Sequence, residues 1–304
     1  MSNSELINLS EEVRAALSTG QPVVALESTV IAHGLPRPQN LETARHLELI
    51  IRDARVTPAT VAILDGKIYV GLDQNQLRRI GEDDDIRKIS IRDLPIAIAQ
   101  RCDGATTVAA TLRIAHRAGI RVFATGGVGG VHRGSLPDVS ADLPELARTP
   151  MAVVCSGAKI VLDLAATREW LETQGVSVIG YQCDEIPAFY SRGSGLKVDV
   201  RVDSPEIVAE LFRTQRALGI ESALLVTVPV PVEAEVPAEL LENVLELAVK
   251  EADRRGIAGS ELTPFLLSRM AEESEGMTLR ANIALLENNA RVAAAIARLL
   301  ATTT

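Results

Sequence analysis

Hydrophobic positions along the chain fall into two alternating textures. Compact apolar runs occur at 22–26, 60–64, 120–124, 151–155, 176–180 and 223–226. Between them lie longer stretches whose apolar residues recur every three or four positions. Those stretches predict helices over 40–55, 93–101, 106–118 and 204–218, and within 238–256, 260–272 and 280–300. The first fifteen or so residues read as a short amphipathic helix ending near Gly20. Asp65-Gly66 is a hairpin signal leading into Ile68-Tyr69-Val70-Gly71. Runs that are apolar throughout, and not every second residue, fit strands buried on both faces. Their alternation with helices predicts an α/β fold, a largely parallel central sheet flanked by helices on both sides (α/β/α). The proline-rich stretch 229–237 is too brief to separate domains, so one domain is expected over residues 1–304.

Composition narrows the function classes. With 47% hydrophobic and 23% charged residues the chain is an ordinary globular one. A net charge of -9 argues against general nucleic-acid or anionic-membrane binding, yet leaves room for a small anion in a local basic pocket. Aromatic residues make up only 3%, too few for a base-stacking platform. The N-terminus has neither a basic segment nor an apolar core of a leader, and no run approaches the ~18 apolar residues of a membrane span. Cys102, Cys155 and Cys183 are odd in number and lack metal-ligand spacing, which points to a reducing compartment, the cytoplasm. Scattered histidines and cysteines give no zinc pattern.

Lysine is rare: five, against 26 arginines. Lys159 ends the run Met151-Ala152-Val153-Val154-Cys155-Ser156-Gly157-Ala158-Lys159, and residues 160–166 have helical spacing. That reads as a buried strand, a tight turn and a lysine in the first turn of a helix, at the strand end where α/β sheets bind ligands. Helix N-terminus and desolvation would both favour the free amine there. Such an amine can form a Schiff base with a carbonyl; the other reading is a phosphate-binding or salt-bridged lysine. Glu27 closes the first strand ahead of Ser28-Thr29 and His33-Gly34. It is a candidate general acid, or else a capping or salt-bridged carboxylate. Ala124-Thr125-Gly126-Gly127-Val128-Gly129-Gly130-Val131-His132-Arg133-Gly134 is the most glycine-dense segment; convergent backbone N–H groups there suit an anion or substrate loop, and the other reading is a tight structural turn. It is neither a P-loop nor a Rossmann fingerprint. Asp138 and Asp142, with Ser140 between, could serve a divalent metal that keeps most of its waters, or cap a helix. Lys88 lies near a strand end. Residues 104–109 look like a loop opening a helix with N–H groups free for an anion. The pair Asn288-Asn289 sits mid-helix, where asparagine is disfavoured unless it binds something or faces solvent.

Together these segments resemble the pseudouridine-5′-phosphate glycosidases. The resemblance is carried by Val24-Ala25-Leu26-Glu27-Ser28-Thr29 with His33-Gly34, by Arg92-Asp93-Leu94-Pro95 and by Gly104-Ala105-Thr106-Thr107-Val108-Ala109. The glycine segment, Asp138 to Asp142, Gly157-Ala158-Lys159, Gly180-Tyr181-Gln182, Pro187-Ala188-Phe189, Thr263-Pro264-Phe265 and Asn288-Asn289-Ala290 complete it, from about residue 8 to about residue 298. The resemblance implies reversible cleavage of the carbon–carbon glycosidic bond of pseudouridine 5′-phosphate to uracil and ribose 5-phosphate. The enzyme would be a pseudouridylate synthase (a lyase also described as a glycosidase) using one manganese ion per subunit, as a homotrimer. Lys159 matches the Schiff-base lysine that attacks C1′ of the opened ribose, Glu27 the acid that protonates the ring oxygen, and Asp138 the metal ligand. Lys88, Val108, Ser140, Ala141 and Asp142 match substrate-binding positions, and Thr125, His132 and Asn289 lie in matching motifs at the substrate. One departure is a short connection, Ser135-Leu136-Pro137, between Gly134 and Asp138.

The chemistry is coherent. Carbon-bound uracil is a poor leaving group, so oxocarbenium hydrolysis by two carboxylates is unattractive. An iminium on the opened sugar supplies the electron sink that carbon–carbon cleavage needs. Two rivals are a Schiff-base aldolase acting on a sugar phosphate, which needs no base site, and a non-catalytic nucleotide-binding protein, which needs no reactive lysine.

Overall fold

The computed structural model describes residues 6–133, 138–257 and 259–301. Its strands are β1 (Ile7–Leu9), β2 (Val23–Leu26), β3 (Thr57–Leu64), β4 (Lys67–Val70), β5 (Arg87–Ile89), β6 (Gly104–Thr106) and β7 (Val122–Ala124). Further along come β8 (Val131–His132), β9 (Ala152–Cys155), β10 (Leu162–Asp163), β11 (Ser177–Tyr181), β12 (Val200–Val202) and β13 (Leu224–Thr227). The main sheet runs β1-β4-β3-β2-β7-β9-β13-β11-β12, with β6 branching from β3 and β5 from β6. From β3 through β2, β7, β9, β13 and β11 to β12 every junction is parallel. The β3–β4 hairpin is antiparallel. Its turn, Asp65 (φ 51) and Gly66 (φ 71), has the two positive φ values of a type I′ turn, as the Asp-Gly pair predicts.

Every residue of β2, β7, β9 and β13 is buried, which is why those strands read as unbroken apolar runs. The helix Met277–Ala301 packs across β2, β7 and β9 and against the helices Gln39–Asp53 and Pro205–Ala217. Its buried stripe includes Ala281, Leu285, Leu286, Ala290, Ala293 and Ala297, and the alanines let it lie close to the sheet. The helix Val108–Arg117 packs on β2, β3 and β6. The expected α/β architecture with a largely parallel sheet flanked by helices is therefore present. Among the described residues no helix is long and apolar enough to cross a membrane.

Four local expectations need correction. The N-terminal helix is only Glu11–Ser18, capped by Ser10, because residues 7–9 instead pair with β4. The helix expected over 93–101 is a 3₁₀ turn, Ile91–Asp93, continued by Leu94–Ala99. Residues 104–106 form β6, and the following helix starts at Val108, capped by the Thr107 hydroxyl. Lys159 is not in a helix: residues 162–163 form β10 against β8, and the helix begins at Leu164, where the Asp163 carboxylate accepts the Ala166 N–H at 2.9 Å. The residues 135–137 of the short connection lie outside the described ones.

Candidate active site

Three adjacent strands of the parallel block end side by side, and the residue after each turns to the same place. Leu26 pairs with Ala124 and Ala124 with Val154, so Glu27 and Thr125 leave β2 and β7 as neighbours, with Ser156 beyond them after β9. The Thr125 hydroxyl donates to the Glu27 carboxylate. Glu27 is 7% exposed. Burial pushes its carboxyl pKa up; the positive charge of Lys159, the Thr125 hydrogen bond and Lys88 only partly oppose this, and the negative charge of Asp142 adds to it. A carboxyl that holds its proton more tightly than usual is suited to act as a general acid.

The segments after β7 and β9 are zipped together by their backbones. The Ser156 N–H donates to the Gly126 carbonyl at 2.8 Å, Val128 N–H to Gly157 at 3.0 Å, and Lys159 N–H to Val128 at 3.1 Å. Gly157 has φ +82, and a Cβ on it would sit 2.2 Å from the Pro187 carbonyl oxygen, so only glycine fits. This ladder, and not a helix N-terminus, presents Lys159. The charges that reach its amine include Glu27 and Lys88.

After Thr29 the chain makes a π-turn, Val30–Gly34, of a kind frequent at functional sites. It brings Val30, His33 and Gly34 to a cavity that Glu27, Lys88, Lys159, Gly126, Gly127, Phe189, Thr263, Pro264, Leu267 and Asn282 also line. Phe189 holds φ 63, a strained value for an aromatic residue, fixed by its N–H to the Ser156 carbonyl at 3.1 Å. Lys88, half-buried on β5, has its pKa lowered by burial and then by the charge of Lys159, with Asp142 and Glu27 pulling the other way. A larger cleft opens at the opposite, amino-terminal end of the central strands, beside residues 119–121 before β7 and Pro150 before β9. It offers no lysine or carboxylate. Two of its arginines, Arg121 and Arg213, donate to the carbonyls of Leu300 and Leu299 at the end of the last helix, so their role is to cap that helix.

A carboxylate ties the glycine segment to a helix start. Asp142, 6% exposed, accepts the Gly129 N–H at 2.8 Å and the Ala109 N–H at 2.9 Å. Val108, buried, opens that helix and so contributes its N–H, which has no intrahelical partner. Ser140 lies against Gly129, whose added Cβ would come 2.2 Å from the serine hydroxyl, and Ala141 is exposed before the short helix Asp142–Leu146. Asp138 and His132 face each other across a bridge outside this cavity: the His132 N–H donates to the Asp138 carbonyl at 2.8 Å, and the Asp138 side chain is exposed. Among the described residues no three His, Cys, Asp or Glu side chains are grouped to hold a metal.

The family model described as "Indigoidine synthase A like protein" matches residues 12–299. The chain belongs to this family. A pseudouridine-5′-phosphate glycosidase of Caldanaerobacter subterraneus subsp. tengcongensis is 52% identical over 296 residues, covering 97% of this chain and 96% of the relative. One of Geobacillus kaustophilus is 50% identical over 97% of this chain and 99% of its own length. Among solved structures, the prealnumycin C-glycosynthase AlnA in complex with ribulose 5-phosphate superposes with a TM-score of 0.89 at 38% identity, over 98% of this chain and 97% of AlnA. An indigoidine synthase A-like protein of Thermotoga maritima has a TM-score of 0.89 at 39% identity, over 97% of both chains.

Two asparagines bear on the site, Asn289 and Asn282, seven residues apart on one helix face. Asn289 is fully buried beneath the site. Its amide donates to the Thr125 carbonyl at 2.9 Å and to the Ser156 hydroxyl at 3.1 Å, so it locks together the turns that carry Glu27's partner and Lys159. Asn282 is the one that lines the cavity. Reading along the chain singles out the Asn288-Asn289 pair; only the seven-residue spacing points to Asn282, while Phe189 and Thr263 lie in segments that carry the resemblance without being marked there as site residues. Asn289→Leu is expected to lower stability by about 2–4 kcal/mol, because two buried polar groups lose their partner. Urea denaturation measures this, and a loss under about 0.5 kcal/mol would mean that the turns hold without it.

Proposed function

We propose that the protein reversibly cleaves pseudouridine 5′-phosphate to uracil and ribose 5-phosphate through a Schiff base on Lys159. The observation that carries this reading is a buried acid and a lysine in one cavity, beyond the ends of β2 and β9, the two parallel strands that flank β7. Full-length relatives named for this reaction support it, as does the sugar phosphate bound by AlnA.

In the cleavage direction Glu27 gives its proton to the ribose ring oxygen as the C1′–O bond breaks, with the electron pair supplied from the uracil ring. The neutral amine of Lys159 then adds to C1′ and gives up a proton. Protonation at uracil C5 lets the C1′–C5 bond break toward the base while the lysine nitrogen forms an iminium with C1′. Water hydrolyses the iminium, releasing ribose 5-phosphate and the free amine. Lys88, the Val108 N–H and Ser140 would receive the phosphate, with Asp142 holding the glycine segment and the helix start in register.

The donor set at Asp138, one exposed carboxylate, fits a hydrated manganese ion and not a closed protein cage. Such an ion would orient substrate through its waters. Loss of even an outer-shell partner weakens metal binding about 10–100-fold. Asp138→Ala is therefore expected to weaken manganese binding by about 100-fold or more, read by electron paramagnetic resonance titration; an unchanged affinity would remove Asp138 as the ligand. The expected assembly is a homotrimer acting in the cytoplasm, consistent with three unpaired cysteines. Light scattering should give three times the chain mass, and a monomer at micromolar concentration would end that part of the reading.

The deciding experiment follows uracil release from pseudouridine 5′-phosphate by chromatography, with manganese and with chelator. Metal-dependent release establishes the reaction. No reaction in either direction by folded protein would turn the reading to a Schiff-base aldolase of sugar phosphates.

A further inference from the structure

His33 belongs to the cavity wall but has no part in the chemistry above. Its imidazole is carried by the π-turn and faces the same space as Glu27, Lys88 and Lys159. The Nε2 atom is buried and has no hydrogen-bond partner among the described residues. The ring's bond to the Ile86 backbone therefore falls to Nδ1. An Nδ1–H donating to a carbonyl fixes the tautomer and leaves the lone pair on Nε2. Burial lowers the imidazole pKa, and the positive charge of Lys88 lowers it further, more than the Ile86 contact restores. A neutral acceptor in the wall of a ligand cavity is thus left without a partner among the described residues, and buried acceptors of this kind normally find one.

We infer that His33 is a substrate-contacting residue whose Nε2 accepts a hydrogen bond from a neutral donor of the bound substrate, and not from its phosphate. This rests on the glycosidase reading, which supplies two donors of that chemistry, a ribose hydroxyl and a uracil N–H. A phosphate dianion offers only lone pairs, which the Nε2 lone pair repels. The histidine beside Lys88 is therefore a sorting element. It lets the lysine attract the anion while its own edge of the cavity accepts only an N–H or O–H.

The test uses the full chain in the condensation direction, with uracil and ribose 5-phosphate varied separately, in wild type, His33→Leu and His33→Gln. Leucine removes the acceptor and strands a substrate donor, so KM for one of the two substrates should rise about tenfold. Glutamine can present Oε1 at the same edge and should recover most of that rise. A rise for uracil places the base N–H on His33; a rise for ribose 5-phosphate places a sugar hydroxyl there. The inhibition constant of inorganic phosphate should stay within about twofold of wild type in both variants. Unchanged KM for both substrates, equal impairment of the two variants, or loss of phosphate inhibition would each overturn the inference. Should the leucine variant fold poorly, nitrogen-detected imidazole spectra of wild type decide instead. Nε2 must shift on adding uracil or ribose 5-phosphate, and an unmoved resonance with either ligand also overturns it. A wild type that joins uracil to ribose 5-phosphate while both variants match it defeats only the role of His33. A wild type that fails to join them defeats the glycosidase reading.

Discussion

Lys159→Ala is expected to lower turnover of pseudouridine 5′-phosphate by roughly 10⁴-fold or more, the scale seen when a covalent nucleophile is removed. The fold should survive, because what holds this segment is the Lys159 backbone N–H on the Val128 carbonyl, which alanine keeps. The cavity contains a second amine, and that makes the prediction sharper. Lys88 lines the same space, and burial together with the charge of Lys159 lowers its pKa, the usual condition for a nucleophilic lysine. Placement separates the two. Lys159 follows β9 beside the turns that carry Thr125 and Glu27, whereas Lys88 sits on β5 at the far branch of the sheet. Borohydride reduction with ribose 5-phosphate, followed by peptide mapping, should label Lys159 in wild type and nothing in Lys159→Ala. Label on Lys88 in wild type would exchange their roles, and near-normal turnover by Lys159→Ala would end the Schiff-base reading.

The parts of the site that are legible in the sequence are those fixed by strands. Parallel strands buried on both faces leave unbroken apolar runs, so the positions of Glu27, Thr125 and Lys159 just past β2, β7 and β9 follow from the amino-acid pattern alone. What is not legible depends on non-local pairing. The spacing over 160–166 suits a helix, but residues 162–163 are captured by β8, and the helix waits for the Asp163 cap. Three-residue strands such as β1 and β12 are too short to show a period. The π-turn has no propensity signature, since its wider loop comes from how residues 28–34 pack, held by Asn40 donating to the Ile31 carbonyl at 2.9 Å. That turn is what brings His33 into the cavity. The asparagine pair illustrates the same limit: composition flags Asn289, but only the helix's seat on the sheet shows that it supports the site while Asn282 faces into it.

Glu27→Gln is expected to separate activity from stability. Turnover should fall by roughly 10²–10⁴-fold, since amide cannot protonate the ring oxygen. In wild type the rate of the acid-dependent step should decline as pH rises through the raised pKa of Glu27. Stability in wild type has the same pH direction, but the substitution should move it opposite to activity. The folded protein holds the Glu27 proton more tightly than the unfolded chain, where the carboxyl has its ordinary value of 4.5. The favourable contribution of this group is therefore complete below about pH 4.5 and is lost as pH rises through the folded value, above which the buried carboxylate carries a constant penalty. The attraction of Lys159 and Lys88 is already contained in that balance, and burial still prevails. Glutamine can accept the Thr125 hydroxyl and has no charge to bury, so the variant should melt above wild type at pH 8 and lose that advantage as pH falls toward 4.5. It should also still trap free ribose 5-phosphate on Lys159, because that sugar already samples its open aldehyde. A variant that melts lower at pH 8 would make Glu27 a structural partner of the lysines. A structural ion pair loses stability when it is broken; a buried acid kept for catalysis gives stability back.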